Sequence, residues 1–141
     1  MKKRIETFKD ELKHLYDYQA NIRRIETEIE ELYYEAENVK GVDFSKEIST
    51  PNPIASEQYR LAIFERIEQL EKIKKREDEK VASICDVLRW MGDNERTLVI
   101  EVVADRRKYR DVCKERKIKN PSSLSYKINK IIEEAIKKGE L

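Results

Sequence analysis

Apolar residues recur with helical spacing through the first 36 positions of the chain. The stripe runs from Ile5 to Ala36 in steps of three or four residues, and its phase slips once, between Leu15 and Tyr18. Steps of three and four put apolar side chains on one face of an α-helix, and the opposite face here is mostly Glu, Lys and Arg. The pattern predicts one long N-terminal helix over residues 1–38.

A second apolar stripe follows a segment that contains two prolines. Proline interrupts a continuous helix, so a loop is predicted over residues 39–53. Apolar residues then recur from Ile63 to Met91, which predicts a second long helix over residues 54–92. The two helices are expected to form a long antiparallel, coiled-coil-like hairpin, whose stripes meet either within one chain or against another copy.

Residues 93–141 contain three shorter helical segments. The first is predicted over 95–104 with Asp93 or Asn94 as its N-cap, although Leu98–Val103 also has β propensity. It is assigned as helix because no second strand candidate exists to pair with it. The second runs over 109–116, with Val112 and Cys113 pointing inward. The third begins at Asn120-Pro121, an N-cap followed by a residue suited to the first helical position, and Gly139 marks its end.

Two short helices and a tight turn before a longer helix follow the plan of a helix-turn-helix. Cys113 is small where two helices must approach closely, and Ile118 in the turn can fill the core between them. The turn departs from the usual pattern of an apolar residue followed by glycine, because Arg116 and Lys117 occupy those positions and one extra residue precedes Leu124. The predicted fold is all-α: the long antiparallel hairpin, then a helix-turn-helix domain over residues 93–141.

The charge of the chain is unevenly distributed. Residues 1–100 hold 18 Lys+Arg and 22 Asp+Glu, whereas residues 101–141 hold 12 and 7. The high overall charge of 42% with only three glycines and three prolines is typical of long helices. The local basic excess indicates an anionic partner for the C-terminal part alone.

The third C-terminal helix carries a polar face suited to nucleic acid. Ser, Tyr, Asn and Lys side chains can bond phosphates or base edges, and asparagine can bond adenine in a bidentate manner. Double-stranded DNA is the predicted partner. The candidate DNA-binding residues are Arg106, Arg107, Lys108, Arg110, Lys117, Lys119, Ser122, Ser123, Ser125, Tyr126, Lys127, Asn129 and Lys130.

Sequence features of catalysis, metal binding and membrane insertion are missing. His14 has no partner His or Cys at ligand spacing, the three glycines form no phosphate-binding loop, and no catalytic constellation is recognisable, so neither enzymatic activity nor a cofactor or metal is expected. Cys85 and Cys113 stand far apart and are expected to be reduced thiols. No apolar run is long enough to span a membrane, and the basic N-terminus lacks the apolar stretch of a signal peptide, so a cytoplasmic location is expected.

The layout resembles phage late-gene transcriptional activators of the RinA, ArpU and LtrC type, and the C-terminal part resembles the region-four helix-turn-helix of sigma factors. The matching residues are Glu95-Arg96, Tyr109–Cys113 and Lys130–Ile132. The resemblance extends over the full length in layout and over residues 94–138 in motifs. It implies a protein of the bacterial host cytoplasm that binds promoter DNA and activates late packaging and structural genes through host RNA polymerase.

Two other functions fit parts of the pattern. Coiled-coil helices with a helix-turn-helix also fit a small terminase-like packaging or structural protein that binds DNA as an oligomer. The charged hairpin fits a helical interaction module of the anti-repressor type. Self-association into a homodimer or higher homo-oligomer is expected, and the hairpin is the predicted site of that contact or of a contact with RNA polymerase.

Overall fold

The computed structural model describes residues 1–40 and 53–140, with side chains over 1–38 and 56–140. No strand occurs in these ranges, and the prediction of an all-α fold is confirmed. The helices are α1 (Lys2–Lys13), α2 (Leu15–Lys40), α3 (Pro53–Leu88), α4 (Asp93–Val99) with a π-helical continuation (Ile100–Ala104), α5 (Tyr109–Arg116) and α6 (Pro121–Gly139).

The N-terminal helix is interrupted at His14, which corrects the prediction of one helix over residues 1–38. His14 adopts φ −105° and ψ 12°, outside the helical range, between the end of α1 and the start of α2. The break falls where the apolar stripe changes phase. Leu12, Leu15 and Tyr18 pack in one core, whereas Ala36 belongs to another.

The chain divides into two compact units that cut across the predicted domains. We call Met1–Gln19 with Glu79–Leu141 the head and Ala20–Asp78 the hairpin. The predicted domain at 93–141 therefore has further parts: α1 and the last turns of α3 share its core. The second long helix ends at Leu88, short of the predicted end at residue 92.

In the hairpin, α2 and α3 run antiparallel. Glu28 pairs with Arg66 at 3.5 Å and Glu26 pairs with Lys74 at 3.5 Å, so residues later in α2 meet residues earlier in α3. The buried side chains of Ala36, Ile63 and Ile67 pack between the helices. Residues 41–52 of the predicted loop lie outside the described residues.

In the head, the helices surround one apolar core. Its fully buried side chains come from α1, α3, α4, α5 and α6: Leu12, Ile84, Val99, Val112, Leu124, Ile128 and Ile132. The helical stripe predicted for the last helix is therefore the face that α6 buries.

The segment Leu98–Val103 is helical, as predicted, but its hydrogen bonding changes midway. Beyond Val99 the ladder widens to π-helical spacing, and the N–H of Asp105 donates to the carbonyl of Ile100 at 2.9 Å. At the start of α4 the N-cap is Gly92, not Asp93 or Asn94 as expected. The Gly92 N–H donates to the carboxylate of Glu95 at 3.0 Å.

None of the helices in the described part of the chain is long and apolar enough to cross a membrane.

Candidate nucleic-acid interface

The turn between α5 and α6 is closed without glycine. Lys117 adopts the left-handed conformation, with φ 57° and ψ 40°, directly after the last residue of α5. The next N–H, that of Ile118, donates to the carbonyl of Cys113 at 2.9 Å, which is the hydrogen bond that closes a Schellman C-cap. Ile118 is half-buried and packs against the core of the head, as its apolar character predicts.

The start of α6 agrees with the prediction. Asn120 is the N-cap, with extended backbone at φ −158° and ψ 168°, and its side-chain oxygen accepts a hydrogen bond from the N–H of Ser123 at 2.8 Å. Pro121 is the first helical residue, where its missing N–H costs nothing. The cap fixes the helical phase of every residue that follows.

The face of α6 away from the core is polar and open. Ser122, Ser123, Tyr126, Lys127 and Lys130 are exposed, and the ring of Tyr126 is 69% exposed. These residues lie opposite the buried stripe. This part of the predicted site is brought together on one surface.

Asn129 and Ser125 do not share that open face, because both are half-buried. Asn129 lines a cavity of about 270 Å³ against α1, beside Ile5 and Lys9. Its side-chain oxygen is buried and has no hydrogen-bond partner among the described residues. Lys9 lines the same cavity, and its pKa is lowered because burial disfavours the charged amine. Asn129 therefore faces α1 and does not lie on the open face of α6.

A basic stripe runs along α5 into the turn. Arg110 and Lys114 lie four residues apart on one side of α5, and Lys117 follows directly after the helix; all three are exposed. Lys108 at the N-cap of α5 and Lys119 in the turn are exposed as well. Lys114 was not among the predicted residues. The signal that identifies it is its spacing from Arg110 and Lys117.

Arg107 is engaged within the protein. Its guanidinium donates to both carboxylate oxygens of Glu115, at 2.8 and 2.6 Å. This pairing raises the pKa of Arg107 and lowers the pKa of Glu115. Glu101 lies 3.6 Å from Arg107 and accepts a hydrogen bond from Arg116 at 3.1 Å. The four charges hold α5 against the π-helical turn.

Arg106 is also used structurally. It has a positive φ of 55°, and its guanidinium donates to the carbonyl of Lys13 at 3.1 Å, where α1 ends. The neighbouring carboxylate of Asp105 accepts a hydrogen bond from the hydroxyl of Tyr16 at 2.5 Å, and this bond raises the pKa of Tyr16. The two contacts secure the break between α1 and α2.

A cavity of the head lies away from the open face of α6. It measures about 670 Å³ and is lined by α1, the end of α3 and the end of α6, with Trp90 at its wall. Two ion pairs lie at its edge, Arg4 with Glu140 and Arg89 with Asp86. Within the described residues, no group of three or more His, Cys, Asp or Glu side chains could hold a metal ion.

Comparison of the chain with known protein families, with curated proteins and with solved structures gives no match.

Proposed function

We propose that the head binds double-stranded DNA, with α6 lying in the major groove. The observation that carries the proposal is the open face of α6. Its exposed Ser, Tyr and Lys side chains stand on a capped helix that follows a short helix and a tight turn. In helix-turn-helix proteins, the second helix of the pair reads base edges with residues near its N-terminus. Ser122, Ser123 and Tyr126 occupy that part of α6.

Electrostatics supports the same surface. The basic stripe of Arg110, Lys114 and Lys117 precedes α6, and Lys127 and Lys130 follow along it. Phosphate contacts position a protein on the duplex and supply most of the salt-dependent affinity. Arg106 and Arg107 have no part in the proposal, because they bond the carbonyl of Lys13 and the carboxylate of Glu115.

We propose further that the protein regulates transcription in the cytoplasm of a bacterial host. This part is supported by the resemblance of residues 94–138 to phage late-gene activators. Activation of a reporter placed behind a phage late region that the protein binds, in the presence of host RNA polymerase, tests it. A reporter that is unaffected or repressed when the protein binds that DNA would remove the activator role and leave DNA binding intact.

DNA binding is tested by fluorescence anisotropy with duplexes enriched from a randomised library on the full chain. We expect Lys127→Ala and Lys130→Ala each to lower the slope of log affinity against log salt by about 0.9, the contribution of one phosphate contact in B-DNA. Lys75→Ala, an exposed lysine of the hairpin, is the matched control and should leave the slope unchanged.

The choice of face is tested separately. Tyr126→Ala should weaken binding and alter the enriched sequence. Asn129→Ala should change the affinity by no more than about twofold, well below the tenfold change that corresponds to about 1.4 kcal/mol. No duplex enriched at low salt would remove the proposal of DNA binding. A large loss in Asn129→Ala with none in Tyr126→Ala would show that a different face meets the groove.

A further inference from the structure

Negative charge is concentrated in one half of the hairpin. Residues 26–40 and 53–71 contain ten Asp and Glu but only three Lys and Arg. This loop-side half adjoins residues 41–52. The basic residues of the hairpin are concentrated elsewhere, at Arg23-Arg24 and over residues 72–76. The loop-side half therefore carries a net charge of −7, against −4 for the hairpin as a whole.

The same half exposes large apolar side chains. Tyr33, Leu61 and Phe64 are 45%, 58% and 40% exposed. The rings of Tyr33 and Phe64 pack edge to face, with centroids 6.4 Å apart, so the residues of the two helices form one continuous patch. Exposed apolar side chains are ordinary when scattered, but clustered ones surrounded by polar residues are typical of protein interaction sites.

Glutamates surround this patch on both helices. Glu30 and Glu37 lie three residues before and four residues after Tyr33, on the same side of α2, and Glu68 lies four residues after Phe64 on α3. All three are exposed, and neither Glu30 nor Glu68 forms an ion pair with a side chain that the structure describes. The acidic–aromatic face is defined by Glu30, Tyr33, Glu37, Leu61, Phe64 and Glu68.

We propose that the acidic–aromatic face binds a basic amphipathic helix of another protein. Its aromatic centre offers the apolar contact from which the largest single contributions to binding come, and its glutamates select Lys and Arg around that contact. Nucleic acid is disfavoured by like charge. So is the same face of a second copy, because its glutamates would meet glutamates. The inference does not rest on DNA binding by the head.

The test uses the full chain and a fluorescent synthetic helix of Leu and Lys with one apolar face. A peptide of identical composition, scrambled so that no apolar face forms, is the control probe. We expect the amphipathic peptide to bind at least about tenfold more tightly, a difference of 1.4 kcal/mol. Leu61→Ser with Phe64→Ser should abolish the difference.

Ile73→Ser is the matched control variant. Ile73 lies on the same helix with 39% exposure, close to the 40% of Phe64, but outside the acidic half, so its replacement should leave peptide binding unchanged. Glu30→Lys with Glu68→Lys retains the apolar residues and should also remove binding. This variant keeps the test decisive if loss of the aromatic patch disturbs the hairpin, and circular dichroism checks the fold of each variant.

Three results would overturn the proposal. The first is equal binding of the two peptides. The second is binding that survives in both double variants, which would locate the peptide elsewhere. The third is a dimer in light scattering that Leu61→Ser with Phe64→Ser dissociates, which would identify a second copy as the occupant. DNA affinity measured on the same variants should not change. Failure of the peptide-binding proposal can therefore be distinguished from failure of the DNA-binding proposal.

Discussion

Replacing Lys117 by glycine should stabilise the head. Lys117 holds the left-handed conformation at φ 57° and ψ 40°, where the Cβ of an L-residue crowds the following carbonyl. Only glycine adopts this conformation without that cost, and the Schellman hydrogen bond from Ile118 to Cys113 depends on it. The chain therefore carries local strain at the turn between α5 and α6.

The size of the effect follows from two opposing terms. The left-handed conformation costs a non-glycine residue about 1–2 kcal/mol. Glycine recovers this cost but loses about 0.5–1 kcal/mol through the greater freedom of the unfolded chain. The net gain is about 0–1.5 kcal/mol, with its centre at about 0.75 kcal/mol. For a domain of 60–100 residues, the size class of the head, about 1 kcal/mol raises the midpoint of thermal unfolding by about 4–8 °C.

The assay is thermal unfolding followed by the fluorescence of Trp90, the sole tryptophan of the chain, which lies in the head. Lys117→Ala should melt close to the wild type, because it removes the amine but keeps the Cβ. Lys114→Gly, inside α5, should lower the free energy of unfolding by about 0.5–1 kcal/mol. If Lys117→Gly is no more stable than Lys117→Ala, the left-handed turn is not the cause of the strain and the reasoning fails.

Three further predictions concern the contacts around this unit. Asn120→Ala removes the N-cap hydrogen bond of α6 and should cost about 1 kcal/mol in the same melt, whereas Asn120→Ser should cost little. Glu115→Gln releases Arg107 from its carboxylate partner and should strengthen DNA binding in the anisotropy assay; Glu65→Gln in the hairpin is the control, and unchanged affinity would mean that Arg107 cannot reach DNA. The bond to Asp105 raises the pKa of Tyr16 above its ordinary value of 10.0, so its contribution is present below that pH and lost as the pH rises through the folded pKa. Tyr16→Phe should therefore lose less head stability than the wild type above about pH 10, and equal losses would contradict a role for this bond.

Helix positions were predictable from the sequence because each is encoded locally. The buried stripe of α6 and its N-cap at Asn120 depend on residues within one helix, and both agree with the structure. The break at His14 was signalled only by the phase slip between Leu15 and Tyr18. A long helix can also absorb such a slip by a change in its supercoil, so the periodicity alone does not distinguish a break from a bend. The structure has a break, with α1 packed into the core of the head.

The π-helical turn had no sequence signal. Ile100, Val102 and Val103 satisfy a helical pattern whether the hydrogen bonds span four or five residues, since apolar residues occupy nearly every position there. The wider turn brings Glu101 between Arg107 and Arg116, as seen in the ion pairs at 3.6 and 3.1 Å. The π-helical turn therefore carries Glu101, whose ion pair with Arg116 connects it to α5.

These ion pairs explain why a count of basic residues overestimates how many are available at the candidate interface. From Asp105 to Lys119 the chain has eight basic and three acidic residues, an excess that predicts an anionic partner. Folding pairs Arg107 with Glu115, pairs Arg116 with Glu101 and directs Arg106 to the end of α1. An arginine that has a carboxylate partner must lose it before it can bind a phosphate, so it contributes less to binding than an exposed lysine. The basic stripe of Arg110, Lys114 and Lys117 stays available to an anion because no carboxylate in the described part of the chain forms an ion pair with it. The candidate interface therefore contains fewer exposed and unpaired basic residues than the sequence predicts.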